Sequence, residues 1–86
     1  MSGSDRVPVV ADGDWSDDVD AEEGVVVNWF ATEGRRVEAG ESLCEIQIEK
    51  VSVDVLAPVA GELAEIARAE DAEFAVGDTL AWIAPD

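Results

Sequence analysis

Displacing the sequence by 37 positions lays Gly24 on Gly61, Glu33 on Glu70, Gly40 on Gly77, Leu43 on Leu80 and Ile46 on Ile83 without a gap. Similar residues fill the positions between: Val26 with Leu63, Trp29 with Ile66, Val37 with Phe74, Glu41 with Asp78, Ser42 with Thr79. Each half thus reads as Gly, an apolar strand, a turn, an apolar residue, a Gly-acid-hydroxyl turn, then Leu and Ile on a further strand. A unit this short cannot bury its own apolar face, so the two halves must pack on each other. The predicted architecture is all-β, a flattened β-barrel or sandwich of two sheets related by a pseudo-twofold axis.

Local signals agree with the repeat. The runs Val25 to Phe30 and Val51 to Leu56 are rich in β-branched residues, and Glu33-Gly34, Ala39-Gly40, Ala60-Gly61 and Val76-Gly77 punctuate them. Residues 62–73 have helix-like Ala, Glu and Leu content, but their repeat partner is the β-branched run at Val25, which favours strand. Gly40 and Gly77 are expected to take positive φ in their turns. The apolar positions matched across the repeat predict the core: Trp29, Val37, Leu43, Ile46, Leu63, Ile66, Phe74, Leu80 and Ile83.

At 86 residues the chain is one domain, too small for a core plus a deep catalytic cleft. It has no histidine and a single cysteine, Cys44, which excludes an internal disulfide, a Cys/His zinc cluster and a Ser/His/Asp triad. Cys44 sits in an apolar strand and is expected to be a buried small hydrophobe. A formal charge of −16 repels nucleic acid and anionic membranes and favours a monomer. No apolar run approaches the roughly 20 residues that span a bilayer, and the first residues lack a signal peptide's apolar stretch; a cytoplasmic location is expected.

Lys50 is the only lysine; the other cations are Arg6, Arg35, Arg36 and Arg68. Only Glu49-Lys50 separates the predicted strand from Leu43 to Ile48 from the one over Val51 to Leu56, which is hairpin spacing and puts Lys50 at the tip. An amine-acylating enzyme would find one ε-amino group on this surface, and arginine cannot substitute as that nucleophile. The plainer reading of Lys50 is a solvated charge that keeps a hairpin from pairing edge to edge.

The run Glu23-Gly24-Val25-Val26-Val27-Asn28-Trp29-Phe30, then Glu33-Gly34, Val37, Gly40-Glu41-Ser42-Leu43, Ile46-Gln47-Ile48-Glu49-Lys50-Val51 and Ala57-Pro58-Val59-Ala60-Gly61-Glu62-Leu63 resembles the biotinyl/lipoyl domain family. The resemblance covers about Val7 to Pro85 and is highly specific as an ordered set. It implies two four-stranded antiparallel sheets, with the modified lysine at a hairpin tip far from both termini. Biotin carriers usually flank that lysine with methionine, whereas Glu49-Lys50-Val51 is similar to the lipoyl pattern. Glu49 and Val51 then serve as recognition flanks. Three departures stand out: Gln47 where lipoyl domains often have Glu, Glu49 where they more often have Asp, and, the largest, a longer, acidic stretch between Pro8 and Glu23.

What the resemblance implies is a non-catalytic lipoyl domain over residues 1–86, with a core of about 7–85 and an extended acidic loop at 12–23. Lipoic acid would be held as N6-lipoyllysine at Lys50, loaded by lipoate ligase or a lipoyl/octanoyl transferase. The partners implied are a thiamine-diphosphate-dependent 2-oxo acid decarboxylase, a dihydrolipoamide acyltransferase core and dihydrolipoyl dehydrogenase, as in 2-oxo acid dehydrogenase complexes. In lipoyl domains the loop joining the first two strands lies beside the lysine turn, so the acidic stretch is expected there, first as a solvated acidic loop; the competing reading is that its carboxylates steer the module toward a basic surface. Two other classes stay open. One is a biotin carrier domain of a carboxylase. The other is an unmodified acidic interaction domain, for which Asp12, Asp14, Ser16, Asp18, Asp20 and Glu23 have calcium-loop spacing, although Asp17 sits where such a loop wants glycine.

Overall fold

A computed structural model describes residues 6–11 and 23–86. Eight strands follow in order: β1 (Val7–Val10), β2 (Glu23–Trp29), β3 (Arg36–Val37), β4 (Ser42–Ile48), β5 (Val51–Leu56), β6 (Gly61–Ile66), β7 (Glu73–Ala75) and β8 (Thr79–Pro85). They form two four-stranded sheets, β1-β8-β6-β3 and β5-β4-β2-β7, with every pairing antiparallel. No helix occurs among the described residues, and the Ala/Glu-rich run after Gly61 is strand, as its repeat partner required.

The pseudo-twofold axis exchanges the sheets. β2, β3 and β4 map onto β6, β7 and β8 at the 37-residue offset, and their loop hydrogen bonds map with them. Gly34 N–H donates to Leu63 O and Asp71 N–H to Val26 O, each at 2.8 Å; Val26 N–H donates to Ala72 O and Leu63 N–H to Arg35 O, each at 2.9 Å. Carboxylates repeat the pattern: Glu33 accepts from Ile66 N–H at 2.8 Å, and Glu70 accepts from Trp29 N–H at 3.2 Å. The offset changes only for β1 and β5. Val7 opposite Ile83 corresponds to Val53 opposite Ile46, an offset of 46, so the β1–β2 connection is nine residues longer than its counterpart between β5 and β6. Those extra residues fall in the acidic stretch, which lies outside the described residues except for Glu23. The solvated-loop reading, the competing steering role and the calcium-loop spacing all fall on that stretch and so lie outside the described residues apart from Glu23.

Packing follows the same symmetry. On β4, Leu43 has no partner between the pairs Ser42–Leu56 and Cys44–Val55; on β8, Leu80 is likewise extra between the pairs made by Thr79 and Ala81. These bulges let consecutive side chains point inward: Leu43 with Cys44, and Leu80 with Ala81, are all fully buried. Two apolar clusters result. One joins Val37, Leu43, Ala57, Leu63, Ala81 and Ile83; the other joins their repeat mates Phe74, Leu80, Ala11, Val26, Cys44 and Ile46, together with Ile48. Since the start of β4 shares a cluster with the end of β8, and the end of β4 with the start of β8, the two strands run in opposite senses across the sandwich. The β4–β5 turn therefore lies at the end of the body away from Pro85.

Of the predicted core, Val37, Leu43, Ile46, Leu63, Phe74, Leu80 and Ile83 are buried. Trp29 and Ile66 are a correction: both are only partly buried, and they face each other across an open crevice with Ala31, Thr32, Ala69, Glu33 and Glu70. The indole N–H of Trp29 donates to Arg68 O at 2.7 Å, so the ring keeps one edge at a polar boundary. Gly24 and Gly61 are matched because of close approach. A Cβ on Gly24 would meet Gln47 O at 2.8 Å, and one on Gly61 would meet Ala84 O, its repeat equivalent, at 2.2 Å.

Candidate functional site

β4 and β5 pair down to Ile48 opposite Val51, leaving Glu49 and Lys50 as the whole turn, both exposed, with Val51 half-buried beside them. Alternation along β4 places Ile46 and Ile48 in the core, so the lysine is carried by a hairpin whose last residue is fully buried. Only Glu49 of the two has positive φ, at 55°. That value lies in the left-handed region, where glycine is the usual occupant. Glu49 thus holds a left-handed backbone at a cost on the order of 1–2 kcal/mol.

This backbone makes a graded prediction. Glu49→Ala retains the Cβ and the strain, and should leave stability within about 0.5 kcal/mol of wild type. Glu49→Val adds β-branching at positive φ and should destabilise by roughly 1–2 kcal/mol. Urea unfolding of the pair checks this; a valine variant as stable as the alanine one would show that the turn is differently built.

Lys50 makes no ion pair among the described residues, whereas Arg6 meets Glu65 at 3.5 Å, Arg68 meets Asp78 at 3.4 Å, and Arg36 contacts Glu38 and Asp86. Repeat positions sharpen the contrast. Arg36 and Asp86 bind each other at the far end; their equivalents at the lysine end are Glu73 and Glu49, two carboxylates. With Glu23, Gly24, Val25 and Gln47 these line a shallow depression beside the turn.

Sequence reasoning singled out Lys50, Glu49 and Val51, and the structure brings all three to one hairpin tip. The contact that the sequence did not indicate is that of Gln47, whose side-chain Nε2 donates to Glu49 O at 3.3 Å. Its departure from the resembling domains was the available signal. Cys44 is fully buried in β4, and burial pushes its thiol up to about 12, with Asp54 adding to the rise, so it stays a protonated hydrophobe. Among the described residues no group of three or more Cys, Asp or Glu side chains is arranged to hold a metal ion.

A two-sheet sandwich built on an internal twofold, with a lone amine on one end turn, defines the class of small β carrier domains. The chain belongs to the biotin/lipoyl family: residues 18–83 match that family, described as biotin-requiring enzyme. It is 41% identical over 61 residues to the dihydrolipoyllysine-residue acetyltransferase component of pyruvate dehydrogenase complex from Mycobacterium bovis, covering 71% of this chain and 11% of that protein. Its fold superposes on the lipoyl domain of the 2-oxoglutarate dehydrogenase complex from Azotobacter vinelandii with a TM-score of 0.64 at 31% identity, covering 72% of this chain and 78% of the other. A single-chain, multi-domain long-chain acyl-CoA carboxylase shares the fold at TM-score 0.74 and 20% identity, over 94% of this chain and 7% of that one. Domains of this family carry a covalently bound group and do not themselves catalyse.

Proposed function

We propose that the chain is a lipoyl carrier domain of a 2-oxo acid dehydrogenase complex, with lipoic acid joined by an amide to Lys50. The observation that carries this reading is the sole ε-amine of the sequence standing exposed on a two-residue turn between paired strands. That position fits covalent attachment: nothing among the described residues ties up the amine, and an enzyme can reach it from outside. Glu49 and Val51, with no methionine on either side, favour lipoate over biotin, as does the similarity to acyltransferase components. When bound, lipoic acid supplies a dithiolane that takes up acyl groups and electrons. The chain's own residues supply position. β4 and β5 pair up to Ile48 and Val51 and so hold the turn at the end of the sheet, and amide formation at Nζ removes the one cation there. Holding a cofactor on a carrier that visits successive active sites raises its effective concentration at each. The corresponding partners are a lipoyl-attaching enzyme, a thiamine-diphosphate-dependent decarboxylase, an acyltransferase core and a dihydrolipoyl dehydrogenase, working in the cytoplasm.

The test is intact mass after parallel incubation with lipoate ligase plus lipoate and with biotin ligase plus biotin. One lipoyl increment, absent from the biotin arm, is expected. A folded chain that takes only biotin transfers the reading to a carboxylase carrier; one that takes neither ends it.

A further inference from the structure

Two connections cross between the sheets, residues 30–35 from β2 to β3 and residues 67–72 from β6 to β7, and the internal twofold exchanges them. Beside them lies the open crevice of Trp29 and Ile66, about 540 Å³ in volume, with Glu33, Glu70 and Asp71 among its polar groups. The indole N–H of Trp29 is engaged by Arg68 O, so what the ring offers the crevice is carbon surface. Each glutamate uses one oxygen, Oε2, to accept a backbone N–H from the other half of the repeat, which fixes both carboxylates in place and leaves Oε1 to accept from outside. Among the described residues none of the three carboxylates meets a cation.

Asp71 is the residue that the fold itself does not require. Its φ of 71° lies in the left-handed region, and its repeat equivalent is Gly34, at 90°. One copy makes this turn with glycine; the other keeps a charged side chain there against backbone preference. The backbone bond is the same in both, since Asp71 N–H donates to Val26 O as Gly34 N–H donates to Leu63 O. What the aspartate adds is a third carboxylate on the crevice. Carbon surface beneath carboxylates that lack a cation is the complement of arginine, whose stem packs on apolar atoms while its planar guanidinium stacks on an aromatic ring and donates to carboxylates as a fork. The crevice is too open to enclose most of a small ligand, so it fits a side chain presented on a larger surface. A second copy of this chain, at a net charge of −16, is repelled. We propose that this crevice is a docking seat for an arginine flanked by apolar residues on a basic protein partner. Trp29 lies opposite Cys44, six residue steps and about 20 Å before Lys50, so the seat holds the domain by its flank and leaves the lysine turn free.

The binding does not rest on the lipoyl reading; its consequence, a higher local concentration of a Lys50-borne group at the partner, does. The probe is N-acetyl-Gly-Leu-Arg-Leu-Gly-amide, with lysine or citrulline replacing arginine as controls, titrated into the unmodified full chain and followed by 1H–15N correlation spectra. Saturable shifts are expected at the Trp29 indole N–H, Thr32, Ile66 and Asp71 and not at Lys50, and binding should weaken with added salt. The lysine peptide should bind roughly two- to fivefold more weakly and the uncharged citrulline peptide roughly tenfold. Asp71→Gly installs the residue of the other copy, so its melting temperature should stay close to wild type while the peptide Kd rises roughly two- to tenfold. Glu70→Gln, which keeps an acceptor for Trp29 N–H, should raise Kd similarly. No saturable shift at the crevice, equal affinity for either control peptide, or an unchanged Kd in Asp71→Gly would overturn the proposal. Shifts centred on Glu23, Glu49 and Glu73 would overturn it in favour of general attraction to the lysine end, and concentration-dependent crevice shifts without peptide in favour of a second copy. Every arm is read on a chain without a lipoyl group, so a failure of lipoylation would end the lipoyl reading and leave this result standing.

Discussion

Lys50→Arg should abolish lipoylation completely, giving no mass increment with ligase and lipoate under conditions that fully convert wild type. The charge is kept and the nucleophile is lost: a guanidinium at neutral pH stays protonated and has no free amine to acylate. Both residues of the turn are exposed, so the substitution should move stability by less than about 0.5 kcal/mol. A folded, unmodified variant isolates the site. Any increment that survives would place the acceptor elsewhere, and with one lysine in the sequence that leaves only the α-amino group among the usual amine nucleophiles.

Leu43→Ala and Leu80→Ala should each cost about 2–5 kcal/mol, by loss of buried area and the cavity left behind. Both side chains are fully buried bulge residues, each packed in its own apolar cluster. For a domain this size that corresponds to a fall of roughly 10–30 °C in melting temperature. Because the two leucines occupy equivalent places in separate clusters, their costs should be similar and close to additive. The double variant should then consume most of a total stability on the order of 4–13 kcal/mol and be largely unfolded at 37 °C. Small, unequal losses would show that the bulges can collapse around the cavities, and that the clusters are less alike than their composition.

The repeat carried most of the fold into legibility because it is nearly exact in backbone terms. Once Gly24 lies on Gly61 and Leu43 on Leu80, the all-β class, the pairing of two equivalent halves and most of the buried set follow. What it hid is where the copies differ. The shift from an offset of 37 to 46 at β1 and β5 could not be seen by gapless sliding, since the intervening acidic stretch breaks the register. Trp29 and Ile66 match across the repeat and were placed in the core, yet their equivalence lies in sharing one crevice near the axis. Apolar matching cannot separate those two situations. At the site, Lys50 was legible from being alone between two strand patterns. The hydrogen bond from Gln47 to Glu49 O was not, because a side-chain contact to the backbone two residues on leaves no periodic trace.

The opposed sense of β4 and β8 also fixes where a covalent leash can be tied. Any polypeptide joined before β1 or after β8 leaves from the pole opposite Lys50, so it never has to fold back past the amine. The seven residues of β4 alone hold the two poles about 20 Å apart. A flexible Gly-rich segment would need roughly a dozen residues to reach that far on average, and would fluctuate while doing so. A segment attached at either end would have its reach extended by that distance without added slack.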